Sequence, residues 1–445
     1  MNPIWTLDTQ FLKEVGMQFE QNIRLDLNMN LKYVTLAILL SVPAVAQKKL
    51  LYQDAVYEEN IKTVMVHPPG SGVRDNLIPA AVPLSAQNLL LEFDDIQESR
   101  NNYYVRLIHC NADWTKSSLL DLDFMTQYNE FNVTDYQFSN NTFLPFIHYR
   151  FAVPRVKLPG NYLLMVYRDS DKSDIILTAR MMIFDNQVSL VPNSNLVGNS
   201  ALNANNQQIN FTIDYGDLQV FNAMDNFKVT IRQNQRWDNA RLNVKPSFIR
   251  EDIGELEYRF FDQDKQWVAG NEFRWVDFRS LISPGRNTAR IDRSVKPFVL
   301  KVAEDRPRDG QAYSQYQDLN GNFAIENLDY IEPTLSCQYI FVDFTFRADP
   351  LKDGDVYVMG NYNHFVRTEE NKMKWNKATS AYETTIVLKQ GWYDYTYYVD
   401  SPTLPTTYFE GSHYQTENFY DVFIYYKSLT PMADLLLGYF SLPYR

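Results

Sequence analysis

Short runs of β-branched and aromatic residues, separated by turns, follow one another through most of this chain and constrain its fold more than any other feature. Runs of this length with alternating apolar and polar residues are typical of half-buried strands. In the first half of the chain they cover 61–66, 88–93, 103–108, 148–153, 161–167 and 175–185. We expect the breaks at Asp94-Asp95 and Pro159-Gly160 to be turns between strands. The spacing predicts antiparallel β-sandwiches.

The polar segment 192–208 contains six Asn and predicts a linker or a long loop after the first sandwich. Strand patterns resume after it at 209–213, 227–232 and 256–261. A long polar connection covers 302–323, and the chain passes to a third unit around Pro333. We therefore expect an all-β chain with three consecutive immunoglobulin-like or early-set β-sandwich domains, at 47–191, 192–332 and 333–445.

Residues 29–46 have the composition of a secretory signal peptide. Lys32 supplies the positive charge, an apolar run follows it, and cleavage is expected between Ala46 and Gln47. Residues 1–28 do not resemble the start of a signal peptide and are interpreted as a spurious N-terminal extension. A membrane anchor is the alternative, but the apolar run is only about half of the ~20 residues that a transmembrane helix needs. We therefore expect an exported protein.

Charge, cysteine and histidine content argue against several classes of function. The net charge of −12 opposes nucleic-acid binding, which needs clustered cations. Cys110 and Cys337 are expected to be buried free thiols, with a disulfide as the alternative. His109 and Cys110 are neighbours on one strand, so their side chains point to opposite faces and cannot form a catalytic dyad. Since the five histidines have no metal-ligand spacing either, we expect neither an enzyme nor a bound cofactor or metal.

The third unit looks like the early-set immunoglobulin-like fold of starch- and glycogen-binding modules. Its strand patterns cover 356–365, 382–391 and 392–400. Those modules stack sugars on exposed tryptophans, and the candidates here are Trp375 and Trp392. Either tryptophan can equally be a core or edge-strand residue. The apolar tail at 432–440 is either part of the unit's own core or part of a contact surface.

Five motifs run through the chain in a fixed order. They are HCNADWTKSSL (109–119), VTIRQNQRWDNA (229–240), VAGNEFRWVDFRSL (268–281), DLNGNF (318–323), and VYVMGNYNHF (356–365) together with IVLKQGWYDYTYYV (386–399). In this order and spacing the motifs resemble the plug proteins of the type IX secretion system of Bacteroidota, over nearly the whole mature chain. One departure is that the paired glycines of the family before Asn-Glu-Phe stand here as Ala269-Gly270.

We interpret the residues of these motifs as structural. Asn111 and Asp113 can accept backbone N–H groups and fix a turn, while Trp114 buries a large area against the sandwich. Phe273 and Trp275 share one face of a strand. The motif residues are His109, Cys110, Asn111, Asp113, Trp114, Arg236, Trp237, Asn271, Glu272, Phe273, Asn320, Gly321, Asn322, Phe323, Gly360, Asn361 and Gly391.

The resemblance implies a periplasmic protein that is associated with the inner face of the outer membrane. Its partner would be the large translocon barrel, whose periplasmic opening the plug occludes in the resting state and so prevents leakage. No nucleic acid and no small-molecule substrate would be involved. The alternative is a periplasmic carbohydrate-binding protein that uses its C-terminal glucan-module-like domain.

Overall fold

The computed structural model describes residues 48–70, 72, 74–193, 205–216, 218–261, 266–283, 285–330 and 333–444. The predicted signal peptide at 29–46 and the residues before it lie outside the described residues, as does most of the predicted linker. Contacts join the chain from Leu50 onward into one unit. Almost all regular structure is strand, so the predicted all-β class is confirmed. Among the described residues, no helix has the length and apolar character needed to cross a membrane.

The first stretch of chain folds into two sheets that face each other. The strands of these sheets are β1 (Ala55–Val56), β2 (Ile61–His67), β3 (Ala81–Pro83), β4 (Leu90–Asp95), β5 (Tyr103–Cys110), β6 (Phe131–Asn132), β7 (Asp135–Phe138), β8 (Ile147–Ala152), β9 (Gly160–Arg168) and β10 (Ile175–Phe184). The next strand, β11 (Ser189–Asn193), belongs to a different sheet. One sheet has the order β1-β10-β9-β5-β6, with β3 beside β10, and the other has the order β2-β4-β8-β7. Their apolar faces enclose a core around Phe93, Leu107, Tyr149 and Leu164, which we call the first sandwich. Each strand predicted in this stretch is confirmed to within a few residues.

The rest of the chain supplies eighteen further strands and two of the three short helices of the described residues. The strands are β12 (Asn206–Gln207), β13 (Asn210–Asp214), β14 (Phe227–Gln233), β15 (Arg241–Val244), β16 (Phe248–Arg250), β17 (Glu255–Tyr258), β18 (Trp267–Val268), β19 (Arg274–Asp277), β20 (Thr288–Asp292), β21 (Val299–Val302), β22 (Phe323–Ile325), β23 (Tyr339–Phe346), β24 (Asp355–Met359), β25 (Lys374–Asn376), β26 (Ala381–Lys389), β27 (Gly391–Asp400), β28 (Asn418–Leu429) and β29 (Met432–Tyr444). The helices are α1 (Asp121–Phe124), α2 (Ala223–Asn226) and α3 (Pro333–Ser336).

Two more sandwiches are built from these strands. The sheets β11-β13-β17-β16 and β15-β14-β28-β29 enclose the middle sandwich, whose core includes Phe211, Ile231, Tyr258 and Val422. The third sandwich consists of the sheet β20-β21-β23-β26-β25 and the sheet β19-β27-β22, in which β24 also pairs with β27. The long connection predicted at 302–323 is confirmed as a loop between β21 and β22.

Strand pairing runs in both directions across the domain boundary that the sequence places between residues 332 and 333. From beyond this boundary, β28 pairs with β14 in the middle sandwich, with Tyr426 opposite Phe227. In the opposite direction, β19 and β22 pair with β27 in the third sandwich. Local sequence patterns indicate where a strand lies but not which strand it pairs with. The predicted domain boundaries therefore stay a prediction, and the strand pairing crosses the one at 332/333.

The C-terminal tail contributes to shared cores. Leu436 and Leu437 of β29 are almost completely buried, the first against β9 and β10 of the first sandwich and the second inside the middle sandwich. Cys110 and Cys337 are both free and buried, which confirms that expectation. Burial raises the pKa of each thiol to about 12.

The predicted turn at Asp94-Asp95 is wrong, because both residues belong to β4. Both carboxylates are completely buried at the end of β4, where charged and polar partners replace water. Asp95 accepts a hydrogen bond of 2.7 Å from the hydroxyl of Tyr103 and another from the side chain of Asn60. Two adjacent acids therefore continue a strand here because each has its own set of donors.

Candidate functional site

The HCNADW motif forms a tight turn after β5. The backbone N–H of Trp114 donates to the carbonyl of Asn111 at 2.9 Å, and Asp113 accepts the N–H of Thr115 at 3.0 Å. Asp113 thus acts as the sequence predicts, whereas the side chain of Asn111 donates to the Thr115 hydroxyl and to the carbonyl of Lys116. The turn holds Trp114 at a φ of 66°, with only 4% of its surface exposed.

Trp114 meets the second motif across the junction between the first and middle sandwiches. Its ring packs edge-on against Trp237, with 5.1 Å between ring centroids, and Trp237 in turn stacks on Phe423 of β28. The Arg180 guanidinium lies 4.8 Å from the centre of Trp114 and 5.0 Å from that of Trp237. The Arg232 guanidinium lies 4.6 Å from the ring centre of Trp237 and 5.1 Å from that of Phe423. Desolvated cation–π contacts of this kind contribute about 2 kcal/mol each.

Both arginines of this stack are held by further partners. Arg232 forms a buried ion pair of 2.8 Å with Asp421, which also accepts the hydroxyl of Tyr439 at 2.9 Å. Arg180 donates to the carbonyl of Tyr52 at 3.0 Å and lies 3.9 Å from the carboxylate of Asp54. Burial, partly offset by Asp54, lowers the pKa of Arg180. The stack therefore joins the N-terminal segment, β10, β14 and β28 at one place.

The third, fourth and fifth motifs meet at the edge of the third sandwich. Asp318 accepts the backbone N–H of Phe273 at 2.5 Å and that of Asn320 at 2.8 Å. The backbone N–H of Asn361 donates to the carbonyl of Gly321 at 2.7 Å. Gly321 has a φ of 82°, and a Cβ there would lie 2.8 Å from the rings of Phe273 and Phe365. The turn therefore requires glycine for both its conformation and the close approach of these rings.

Two carboxylates, those of half-buried Asp318 and completely buried Asp394, hold this turn. Asp394 accepts the backbone N–H groups of Leu319 and Gly321 and the indole N–H of Trp392. Burial raises the pKa of both acids, and a nearby carboxylate adds to the rise. This carboxylate is Glu272 for Asp318, whose pKa becomes about 7, and Asp318 for Asp394. Neither acid is among the motif residues named from the sequence, although Asp318 begins the DLNGNF motif and Asp394 interrupts the aromatic run of β27.

The remaining motif residues occupy nearby positions. Glu272 is buried, accepts the hydroxyl of Tyr313 and the N–H of Glu417, and has a pKa raised by burial. The side chain of Asn271 donates to the carbonyl of Glu410 at 2.9 Å. The side chain of Asn361 donates to that of Asn322. Close packing places Gly360 against the backbone of Asp394 and Gly391 against that of Ala324.

Arg236 connects the two groups of motifs. Its guanidinium lies 4.3 Å from the ring centre of Phe365 in the third sandwich and forms an ion pair with Asp238 beside Trp237. A cavity of about 90 Å³ opens here between the three sandwiches. Its lining includes Arg180, Arg236, Trp237, Phe323, Asn361 and Phe365. Motifs that are far apart in sequence thus converge on one junction.

His109 and Cys110 lie away from this cavity and on opposite sides of their strand. The ring of His109 packs against Tyr162 and Phe124, with centroid distances of 5.0 and 6.1 Å, and burial lowers its pKa to about 4. Cys110 belongs to the apolar cluster that contains Trp114. The two side chains therefore do not contact one another as a catalytic pair would.

A buried ion network joins the first and third sandwiches. Lys389 of β26 and His148 of β8 both contact the carboxylate of Asp94, at 2.6 and 2.7 Å, and the hydroxyl of Tyr339 donates to it at 2.6 Å. His148 also lies 3.7 Å from Glu92. All these charged groups except Glu92 are less than a tenth exposed.

The network fixes the charge state of its members. Burial alone would raise the pKa of Asp94, but Lys389 and His148 hold it below its ordinary value. Burial alone would lower the pKa of His148, but its bonds to Asp94 and Glu92 raise it. His67, which contacts the other oxygen of Glu92 at 3.2 Å, also has a raised pKa because its bond to Glu92 outweighs burial. The spacing of the histidines in the sequence gave no sign of this arrangement.

Trp375 and Trp392 do not form a flat exposed platform. Trp375 lies in β25, is half-buried against the core and donates to the carbonyl of Ala348 at 3.3 Å. Trp392 lies in β27, in the opposite sheet, and stacks parallel to Trp275 with 5.8 Å between centroids. The two candidates for sugar stacking therefore belong to different faces of the third sandwich.

Comparisons with known proteins agree with the resemblance found in the motifs. Residues 61–185 match the family model described as the type 9 secretion system plug protein 1st domain. A crystal structure of a hypothetical protein from Parabacteroides merdae is 27% identical, with a TM-score of 0.82, and covers 89% of this chain and 100% of its own. A structure of manganese lipoxygenase of Gaeumannomyces graminis with part of a zonadhesin of Komagataella pastoris is 9% identical over 87% of this chain and 94% of its own, but its TM-score of 0.13 carries no argument. No curated protein matches the chain.

Proposed function

We propose that this chain, which carries the first domain of the type 9 secretion system plug family at residues 61–185, occludes the periplasmic opening of the outer-membrane translocon barrel while no substrate is engaged. The family match is the observation that carries the proposal, because it indicates a periplasmic protein of the secretion system. In this proposal the partner of the chain is the barrel, and the chain lies at the inner face of the outer membrane. In it the chain acts by shape and contact and catalyses no reaction.

The junctions between the sandwiches support this role. A protein that closes a wide aqueous channel must keep its sandwiches packed against one another, because a gap between them would let solutes through. Here the stack of Trp114 and Trp237 joins the first and middle sandwiches, and the pair of Asp94 with Lys389 joins the first and third. In addition, β28 and β29 return from the third sandwich to complete the middle one.

Deletion of the gene tests the proposal. We expect the outer membrane of the deletion strain to admit a large solute such as vancomycin, but only in cells that also carry the translocon barrel, because the opening belongs to the partner. Uptake is measured in four strains that carry or lack each component. Equal uptake with and without the barrel would refute the occlusion role, and re-expression of this chain should restore the barrier.

Carbohydrate binding makes a different prediction. We expect no saturable heat when the full chain is titrated with maltoheptaose or with β-linked glucans, because Trp375 and Trp392 are half-buried in opposite sheets. The full chain is needed, since a fragment from 333 onward would lose the partners of β28. Saturable heat that the double variant Trp375→Ala with Trp392→Ala abolishes would favour the carbohydrate-binding alternative.

A further inference from the structure

Arg180 of β10 is a buried arginine with an incomplete set of partners. Its side chain is 14% exposed, and the carboxylate of Asp54, its one ion-pair partner among the described residues, lies 3.9 Å away. Arg232 and Arg274, which are buried more deeply, have closer partners. Arg232 lies 2.8 Å from Asp421, and Arg274 lies within 3.0 Å of two carboxylates. A buried guanidinium needs such groups to replace the water that it has lost, and the partners of Arg180 meet this need only in part.

The hydrogen bonds of Arg180 show the same shortfall. Nη2 donates to the carbonyl of Tyr52 at 3.0 Å, but Nε is buried and has no acceptor in the part of the chain that the structure describes. One oxygen of Asp54 already accepts the backbone N–H of Arg180 at 2.7 Å. Burial lowers the pKa of Arg180, Asp54 offsets only part of this effect, and the like charge of Arg232 lowers the pKa further. The guanidinium therefore carries a charge that its neighbours do not fully balance.

Two cavities border this guanidinium. The cavity of about 90 Å³ between the three sandwiches, which we call the smaller cavity, adjoins another of about 310 Å³. Both are lined by Asp54, Arg180, Trp237, His364 and Phe365. A single buried water needs at least about 10–15 Å³. The smaller cavity therefore has room for several waters, or for one small polyatomic ion in their place.

The wall of the smaller cavity carries more positive than negative charge. Arg180, Arg232 and Arg236 line it, whereas among the described lining residues the one carboxylate is that of Asp54. The aspartates that pair with Arg232 and Arg236 are not among these lining residues. His364 also lines the cavity, and burial lowers the pKa of its imidazole, which stays neutral and keeps one N–H donor. Such a wall suits an anion.

We propose that the smaller cavity binds a small oxyanion of the size of phosphate or sulfate, with the Arg180 guanidinium as its main partner. The planar fork of an arginine matches two oxygens of such an anion, and charge-assisted hydrogen bonds of this kind are stronger than those between neutral groups. A metal ion does not fit, because the guanidinium groups repel it. The proposal goes beyond the occlusion role and does not depend on it.

An anion at this place would connect all three sandwiches. Arg180 belongs to β10 of the first sandwich, Arg236 follows β14 of the middle one, and His364 follows β24 of the third. A ligand that binds only the folded chain stabilises it by mass action. We therefore expect the bound anion to strengthen the packing of the sandwiches against one another.

Isothermal titration of the full chain tests the proposal. The chain is dialysed against a buffer free of phosphate and sulfate, and sodium phosphate and sodium sulfate are then added separately. Sodium chloride keeps the ionic strength constant. We expect saturable heat for one site per chain, and a melting temperature that rises with the concentration of either oxyanion.

Three variants assign the heat to the cavity. Arg180→Gln should weaken the affinity about tenfold or more, because it removes the main charged donor. Asp54→Asn should instead tighten the affinity roughly threefold, because it removes the carboxylate that competes for Arg180, while asparagine can still accept the backbone N–H. The matched control is Arg106→Gln, since Arg106 lies in the same sandwich, pairs with Asp121 and lines neither cavity. This control should bind the anion as the parent chain does.

The other outcomes overturn the proposal. It fails if the parent chain gives no saturable heat, or if Arg180→Gln leaves the affinity unchanged. Should Arg180→Gln not fold, as its melting curve would show, an unchanged or weaker affinity in Asp54→Asn refutes the proposal instead. Equal stabilisation by sodium chloride alone would assign the cavity to a halide. Vancomycin uptake by the deletion strain is a separate measurement, so the failure of one proposal is distinguishable from the failure of the other.

Discussion

We expect Lys389→Met to lower the free energy of unfolding by about 3–5 kcal/mol, because it leaves Asp94 as a buried charge without its main partner. The Lys389 ammonium lies 2.6 Å from the Asp94 carboxylate, and both side chains are 1% exposed. Methionine keeps much of the volume of lysine, so loss of packing is a minor part of the cost. Chemical unfolding monitored by circular dichroism measures the change.

Two further variants test whether the loss of stability comes from the unpaired buried charge of Asp94. Lys172→Met removes a partner of Glu130 from an ion pair that is 44% exposed on the lysine side, and it should cost less than about 1 kcal/mol. Asp94→Asn combined with Lys389→Met removes both charges and should recover part of the stability lost in the single variant. A loss for Lys389→Met no greater than that for Lys172→Met would show that the buried pair does not hold the first and third sandwiches together.

Individual strands could be predicted because their signal is local. In β9, for example, the run NYLLMVY follows the turn at Pro159-Gly160, and the structure has a strand over Gly160–Arg168. The sandwich to which a strand belongs is not encoded by a local signal. Nothing in the sequence of β28 shows that Tyr426 lies opposite Phe227, about two hundred residues earlier. The sequence therefore predicts strands well and their assignment to sandwiches poorly.

The same distinction applies to the site. Trp114 was predicted to be buried, and it is, but the partner that buries it is Trp237 of another motif. Asp94 looked like part of a turn because acids are usually exposed. It lies inside a strand because Lys389, nearly three hundred residues later, neutralises it. Charged core residues defeat sequence-based prediction whenever their counter-charge comes from a distant segment.

The pH dependence of stability follows from the carboxyl groups whose pKa values change on folding. Asp318 has a pKa of about 7 in the folded chain against an ordinary value of 3.8, so folding favours its protonated form. The stability that it contributes is therefore complete below about pH 4 and is lost as the pH rises toward 7. Asp394 acts in the same direction because its pKa is also raised. In contrast, the pKa of Glu410 is lowered to about 2 by Arg274 and Arg308 against the effect of burial, so its contribution is lost only as the pH falls below about 4.

We therefore expect the free energy of unfolding to be greatest between about pH 4 and pH 5, and to fall by roughly 3 kcal/mol between pH 5 and pH 8. Asp318→Asn should flatten this decline even if it destabilises the chain at pH 5, because asparagine accepts a hydrogen bond but does not ionise. Asp171→Asn is the matched control: Asp171 is exposed and its pKa is lowered by Ser173, so its removal should leave the decline above pH 5 unchanged. Urea unfolding at pH 5, 6, 7 and 8 gives the slope for each protein. An equal slope in the parent chain and in Asp318→Asn would show that the turn of the DLNGNF motif does not depend on a protonated Asp318. A flattened slope would instead establish that this turn, which contacts Phe273 and Asn361, depends on a carboxyl group kept neutral by burial.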